Sequence, residues 1–210
     1  MNRLLTVIAS LSLAFFILTS SVMLTLAMKW TYDLSKEDIV QVEHHLDDET
    51  MTQNYNNLID YMFEGHGSKL EFKDLPMSFE GEYHFYEVKL IFQFFFRAMI
   101  FSGLLTLYLG AWLVNKKDLR FFNKGSVLVF LVPALLAIPV ALDFDRAFLL
   151  FHEIAFSNDY WIFDPLLDPI IRYLPQSLFL KNTVIILAII ILWILLVQGL
   201  KNLLKKLLER

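Results

Sequence analysis

Residues 4–28, LLTVIASLSLAFFILTSSVMLTLAM, run without a charged side chain between Arg3 and Lys29. A helix needs about 20 mostly apolar residues to cross roughly 30 Å of hydrocarbon, and this stretch is long enough. Three more charge-free stretches follow: between Arg97 and Lys116, between Lys124 and Asp143, and between Lys181 and Lys201. A backbone in lipid must satisfy its own hydrogen bonds, so helices are the expected form. The chain therefore reads as an all-α membrane protein with four transmembrane helices, at 1–28, 89–115, 126–142 and 182–200. Arg3 gives the first stretch the positive start of a signal peptide, but such an apolar region usually spans only about 7–15 residues. The longer stretch here reads as an uncleaved anchor.

Orientation follows from the cations. The connection 116–125 carries Lys116, Lys117, Arg120 and Lys124, the tail 201–210 carries Lys201, Lys205, Lys206 and Arg210, and the head carries Arg3. An excess of Lys and Arg marks the cytoplasmic side, so both termini and the short loop are expected inside. The segments 29–88 and 143–181 are then extracellular, and they hold every Asp and Glu except Asp118 and Glu209. A net charge of −4 thus conceals a basic inner rim suited to anionic lipid and an acidic outer surface. That acidic surface argues against nucleic acid as a partner. A hydrophobic content of 57%, with 20 Phe, fits a lipid-facing chain and excludes a disordered one. Without cysteine there is no disulfide, no thiolate metal site and no Cys nucleophile. No metal or cofactor is expected.

The first extracellular segment divides in two. From Ser35 to Met62 there is no Gly or Pro, and Ile39, Val42, Leu46, Leu58, Ile59 and Met62 recur at roughly helical spacing. Ser35 followed by Asp38 predicts a cap for that helix, and Gly65 and Gly67 predict its end. The stretch 69–79 alternates loosely through Leu70, Phe72 and Leu75 around Pro76, which predicts one or two short strands. In the second segment, 144–156 has a helical pattern. Residues 158–175 are then rich in turn formers and aromatics, including Tyr160, Trp161 and Phe163. Trp and Tyr gather at the membrane–water boundary, so this segment is expected to lie against the bilayer surface.

Two histidines stand where chemistry on a lipid headgroup would occur. His84 precedes Lys89 at the outer edge of the second span, and His152 follows the third span and Asp143. Histidine exchanges protons near neutral pH and is the commonest acid–base group. The alternative for each is an amphipathic interfacial residue with a wet tip. Lys89, Gln93 and Arg97 fall on one helical face, with Arg97 about 12 Å below Lys89. An ionisable group at that depth either faces a cavity or partner or snorkels to the headgroups. Other constellations fail. His152-Glu153 lacks the second His of a zincin, because position 156 is Phe. Gly65-His66-Gly67-Ser68 is followed by Lys69 and lacks the context of a nucleophile elbow. His44 and His45 are adjacent, so on a helix they diverge by about 100° and read as solvent-facing.

A family resemblance rests on longer motifs. The run Asp143-Phe144-Asp145-Arg146-Ala147-Phe148, then Phe151-His152-Glu153-Ile154-Ala155-Phe156-Ser157-Asn158-Asp159-Tyr160-Trp161-Ile162-Phe163-Asp164-Pro165, closely resembles the signature of a Gram-positive integral membrane family, that of the lipoprotein intramolecular transacylase Lit. Asp168-Pro169-Ile170-Ile171 and Leu174-Pro175 continue the match. Upstream, His84-Phe85-Tyr86-Glu87-Val88-Lys89 is similar to the family's His-Met-x-Asp-Val-Lys block, with Phe for Met and Glu for Asp. The resemblance covers nearly the whole chain. It implies an enzyme of the bacterial cell membrane, active at its extracellular face on a diacylated lipoprotein. One acyl chain would move from the sn-2 oxygen of the S-diacylglyceryl-cysteine to that cysteine's own α-amine, giving a lyso-form lipoprotein. The family's two functional histidines map onto His84 and His152, with His152 expected as base and His84 as its acid or orienting partner. A transient acyl-histidine stays open beside direct transfer. Arg97, Asn158, Glu87 and Gln93 are the candidates for substrate or oxyanion contact.

Two other classes compete with this reading. An interfacial phospholipid acyltransferase or hydrolase would release fatty acid or acylate a second lipid. A non-enzymatic membrane sensor or partner subunit would tolerate loss of both histidines but not changes on the 35–62 surface. A transporter is disfavoured, since four spans show neither a repeat nor a pair of broken helices.

Overall fold

The computed structural model describes residues 2–39, 46–65 and 67–209. Among the described residues every regular element is helical. In chain order they are α1 (Asn2–Ala27), a 3-10 helix (Lys29–Asp38), α2 (Asp48–Phe63), α3 (Phe79–Asn115), α4 (Arg120–Leu142), α5 (Phe144–Ala155), a second 3-10 helix (Pro169–Tyr173) and α6 (Gln176–Leu208). Helices α1, α3, α4 and α6 are long and apolar enough to cross a membrane. At about 1.5 Å per residue, α3 and α6 run well past the ~30 Å of hydrocarbon. Their 37 and 33 residues extend beyond the uncharged windows seen in the sequence.

Contacts divide the chain into two compact units, and α3 and α6 each contribute to both. The first comprises residues 1–24, 95–138 and 185–210. Its core gathers Ala9, Leu13, Ile17, Leu113, Phe121, Val129, Ile190 and Val197. Small residues bring its helices close: a Cβ on Gly103 would lie 3.0 Å from the Phe16 ring, and one on Gly125 2.8 Å from a Leu13 methyl. Polar side chains join helices directly. Ser12 Oγ donates to the Ser102 carbonyl at 2.8 Å, and Gln198 Nε2 to Ser126 Oγ at 2.8 Å. Small residues and interhelical hydrogen bonds of this kind hold helices together in lipid, where apolar burial supplies no net drive. The α3–α4 turn closes on Lys117, a left-handed residue at φ 57°. Beside it Asp118 accepts two bonds from the Arg120 guanidinium and one from Thr6 Oγ1 at 3.0 Å. The Arg120 contacts hold the Asp118 carboxyl well below the usual carboxylate range.

The second unit comprises residues 25–94 and 139–184. Its core is aromatic: Tyr32 stacks on Tyr55 with centroids 4.4 Å apart, and the Tyr32 hydroxyl donates to the Tyr173 carbonyl at 2.9 Å. Leu58, Ile59, Met62, Leu70, Phe85, Ile170 and Leu178 complete it. Two expectations are corrected here. The continuous 35–62 helix is replaced by the 3-10 helix that contains Ser35 and by α2, which starts only at Asp48. Asp47 caps α2 by accepting from the Thr50 N–H at 2.6 Å, so the start lies where a carboxylate can meet orphan donors. Val42, His44 and His45 lie outside the described residues, as does His66. The stretch 68–78 forms no strand. One side chain occupies the ladder's place: Asn54 donates to the Lys73 carbonyl at 3.0 Å and accepts from the Lys73 N–H at 2.7 Å. That pins the turn at Lys73 through an amide without a partner strand.

Candidate active site

His84 lies near the start of α3 and His152 in the last turn of α5. The fold brings the two rings to 6.0 Å between centroids, inclined at 37°. Both are buried, at 6% and 8% exposure. Aromatic rings enclose them. Phe156 stands 4.7 Å from His84 and 5.6 Å from His152, Phe163 lies 5.4 Å from His84, and Phe148 and Trp161 lie 4.2 and 5.0 Å from His152. The sequence shows these aromatics only as an interfacial cluster.

The hydrogen bonding differs between the two imidazoles. His152 Nδ1 is 2.7 Å from the Phe148 carbonyl, one turn back on α5. A carbonyl only accepts, so Nδ1 carries the proton and Nε2 of the neutral ring holds the lone pair. His84 Nδ1 is buried and has no hydrogen-bond partner among the described residues. Burying a ring nitrogen unpaired costs roughly 1–3 kcal/mol, an arrangement that asks for a functional reason. Burial pushes the His152 pKa below its ordinary value, and the bond to the Phe148 carbonyl only partly opposes this. His152 is therefore neutral at pH 7, with Nε2 able to take a proton.

Other candidates sort into pairs. Glu87 and Asn158 meet: Asn158 Nδ2 donates to both Glu87 oxygens at 3.0 and 3.1 Å, while its Oδ1 accepts from the Tyr160 N–H at 3.0 Å. Asn158 is thus committed to holding the 156–165 segment on α3. Gln93 donates to the Glu64 carbonyl at 2.9 Å. Lys89 is buried, sits 3.9 Å over the Tyr61 ring, and donates to Gly65 O at 3.2 Å and to Ser68 Oγ. Both residues secure the end of α2, which occupies Ser68 as well. Arg97 is exposed and belongs to the first unit.

One carboxylate near the site entered the sequence reading only as part of the family motif, with no role assigned. Asp168, buried at 3% exposure, accepts from the Ser78 N–H at 2.7 Å and the Ser78 hydroxyl at 2.6 Å, immediately before α3. Ser78 ahead of Glu80 and Glu82 is an unused helix-start signal, and α3 begins directly after it at Phe79.

The sequence model of the family described as lipoprotein intramolecular transacylase Lit matches residues 7–179. No curated protein matches the chain. Among solved structures, the membrane integral lipoprotein intramolecular transacylase Lit from Bacillus cereus is similar, at TM-score 0.90 and 34% identity, covering 98% of this chain and 96% of that one. Two further structures of that protein, with one histidine replaced by arginine or by alanine, give TM-scores of 0.87 and 0.85 at 32% and 33% identity. They cover 100% and 98% of this chain and 95% and 94% of their own. A match over most of the sequence and a shared four-helix membrane fold establish that the chain belongs to the Lit family, membrane-integral acyltransferases that act on lipoproteins.

Proposed function

We propose that the chain moves the sn-2 acyl group of a lipoprotein's S-diacylglyceryl-cysteine to the α-amine of the same cysteine, with His84 and His152 as the acid–base pair. The observation that carries this reading is the pair itself. His152 presents a free Nε2 because Phe148 holds its Nδ1–H, and His84 faces it at 6.0 Å across an aromatic enclosure. Two imidazoles this close in one enclosure can act on the same bound molecule, one taking and one relaying a proton.

The nucleophile belongs to the substrate. An α-amine has a pKa of about 7.7–8.0, so it needs a base to attack at neutral pH. As its nitrogen bonds to the ester carbonyl carbon, His152 Nε2 takes the departing N–H proton. The resulting imidazolium stabilises the developing oxyanion. Collapse breaks the bond from the carbonyl carbon to the glycerol oxygen. That oxygen takes back the proton held by His152, directly or relayed through His84, leaving an amide, a free glycerol hydroxyl and both imidazoles neutral. Amine and ester belong to one molecule, so holding both in place supplies much of the acceleration.

In this reading both termini and the 116–125 loop are cytoplasmic, and His84 and His152 stand at the extracellular face. The exposed apolar residues of α5 and its following segment support an interfacial setting: Leu149, Leu150, Phe151, Ile154, Ile162, Leu166 and Leu167 would meet lipid.

The test is expression in a host without N-acylating enzymes, with mass spectrometry of its lipoproteins' N-terminal peptides. The expected product is an N-acylated lyso-form, lost in His84→Ala and His152→Ala. Wild-type conversion by either variant would overturn the assignment. Release of free fatty acid without N-acylation would point instead to a phospholipid-directed enzyme.

A further inference from the structure

His84 lies between two attachments of one segment to α3. Upstream, Ser78 Oγ accepts from the Gly81 N–H at 2.9 Å and so caps the helix. The same hydroxyl donates to Asp168, whose other oxygen takes the Ser78 N–H. The carboxylate fits because residue 81 has no side chain: a Cβ there would sit 2.3 Å from Asp168 Oδ1. Downstream, Glu87 receives Asn158. Ser78 and Glu87 are separated by roughly 13.5 Å of helix, with His84 between them. Their partners, Asn158 and Asp168, bound the segment that lays Phe163 against His84 and Trp161 against His152.

Capping alone does not account for Asp168. Ser78 already caps α3, and burying a further carboxylate carries a desolvation penalty. What the carboxylate adds is a tie from the end of the aromatic segment to the start of the His84 helix.

We propose that Asp168, acting through Ser78, is a positioning residue of the transacylation: with the Asn158–Glu87 pair it straps residues 158–168 onto α3 and so fixes the aromatic enclosure around both imidazoles. The proposal rests on His84 and His152 carrying the reaction. Loosening the strap admits water to the rings. The ionisable group facing His152 is His84 of α3. Phe148 and Phe151 on its own helix and Phe156 and Trp161 beyond it supply the remaining ring contacts. With Trp161 displaced, His152 titrates nearer its ordinary value of about 6.5.

The experiment uses the full chain in detergent, a synthetic diacylglyceryl-cysteine lipopeptide, and NMR titration of labelled histidine with His152 assigned by its loss in His152→Ala. Asp168→Ala and Ser78→Ala are expected to lower kcat roughly 10- to 100-fold, the scale of a misplaced reacting group. KM should change little, the His152 titration midpoint should rise, and Ser78→Thr should restore both readouts. Wild-type kcat and midpoint in the folded variants would overturn the proposal. So would a loss of kcat with an unmoved midpoint, the mark of a general structural defect. If Asp168→Ala does not fold, Ser78→Ala decides by the same two readouts, since it keeps the bond from the backbone N–H to the carboxylate. Wild-type turnover in His84→Ala or His152→Ala would instead sink the catalytic assignment, leaving the titration shift to judge the strap by itself.

Discussion

At the scale of single residues, the environment of His152 sets a pH signature. Its pKa is depressed by burial, so the bound complex keeps its base in the proton-accepting form below about 6.5. In the proposed mechanism kcat should stay level from pH 7 to below 6.5 and fall only there. An acid limb centred at or above 6.5 would contradict the role. Stability carries the same sign. Below about 6.5 the unfolded chain binds a proton that folded His152 resists, so stability falls as pH drops through that window and is unaffected above it. Thermal midpoints measured at pH 7 and pH 5 should therefore differ less in His152→Gln than in the wild type. A second prediction concerns Gly81. Gly81→Ala gains about 1 kcal/mol of helix propensity. Its Cβ displaces an Asp168 carboxylate that makes two hydrogen bonds, each worth about 1.5–3 kcal/mol where one partner is charged. The loss wins, so a thermal melt should show net destabilisation of roughly 2–5 kcal/mol if both bonds are lost. The two histidines were legible in the sequence because their positions relative to the spans are local facts. The Phe148 tautomer lock and the Asp168–Ser78 tie were not. The first depends on a helical carbonyl, which every helix offers, and the second joins residues whose separation in sequence is 90.

At the scale of elements, helices were readable wherever charge-free length or amphipathic spacing dominated, as in α1, α4, α5 and α6. The reading failed where one polar side chain decided the outcome. Asp47 delays α2 by capping it late, and Asn54 holds the 73 backbone without any strand. Lys89 is the third such case. On a helix it reads as the top of a polar face shared with Gln93 and Arg97, yet its ammonium is spent on Gly65, Ser68 and the face of Tyr61. Lys89→Met keeps the stem and its packing while removing the donor and the cation–π contact, the latter worth about 2 kcal/mol when desolvated. Hydrogen exchange should then quicken across 64–69 while the α5 amides keep their protection. Unchanged exchange at 64–69 would show that Lys89 does not secure the end of α2.

At the scale of the whole molecule, charge sorting along the sequence makes a claim about sides that helix geometry cannot make by itself. Four helices leave two orientations open, related by turning the chain over. In the proposed orientation the cations would choose between them, because Lys116, Lys117, Arg120, Lys124, Lys201, Lys205 and Lys206 all fall in the short loop and the tail, where a cytoplasmic side is expected to be basic. The proposed chemistry would require the same choice, since a lipoprotein N-terminus anchored in the outer leaflet would reach His84 and His152 only with residues 29–88 and 143–181 facing outward. The chain has no cysteine, so single introduced thiols report on sides without background. Glu71→Cys and Lys205→Cys place thiols at exposed positions on opposite sides of the expected orientation. In intact cells a membrane-impermeant maleimide should label the thiol at 71 and leave the one at 205 unlabelled until the membrane is opened. The reverse pattern would turn the molecule over. The two imidazoles would then face the cytoplasm, away from any lipoprotein already anchored outside.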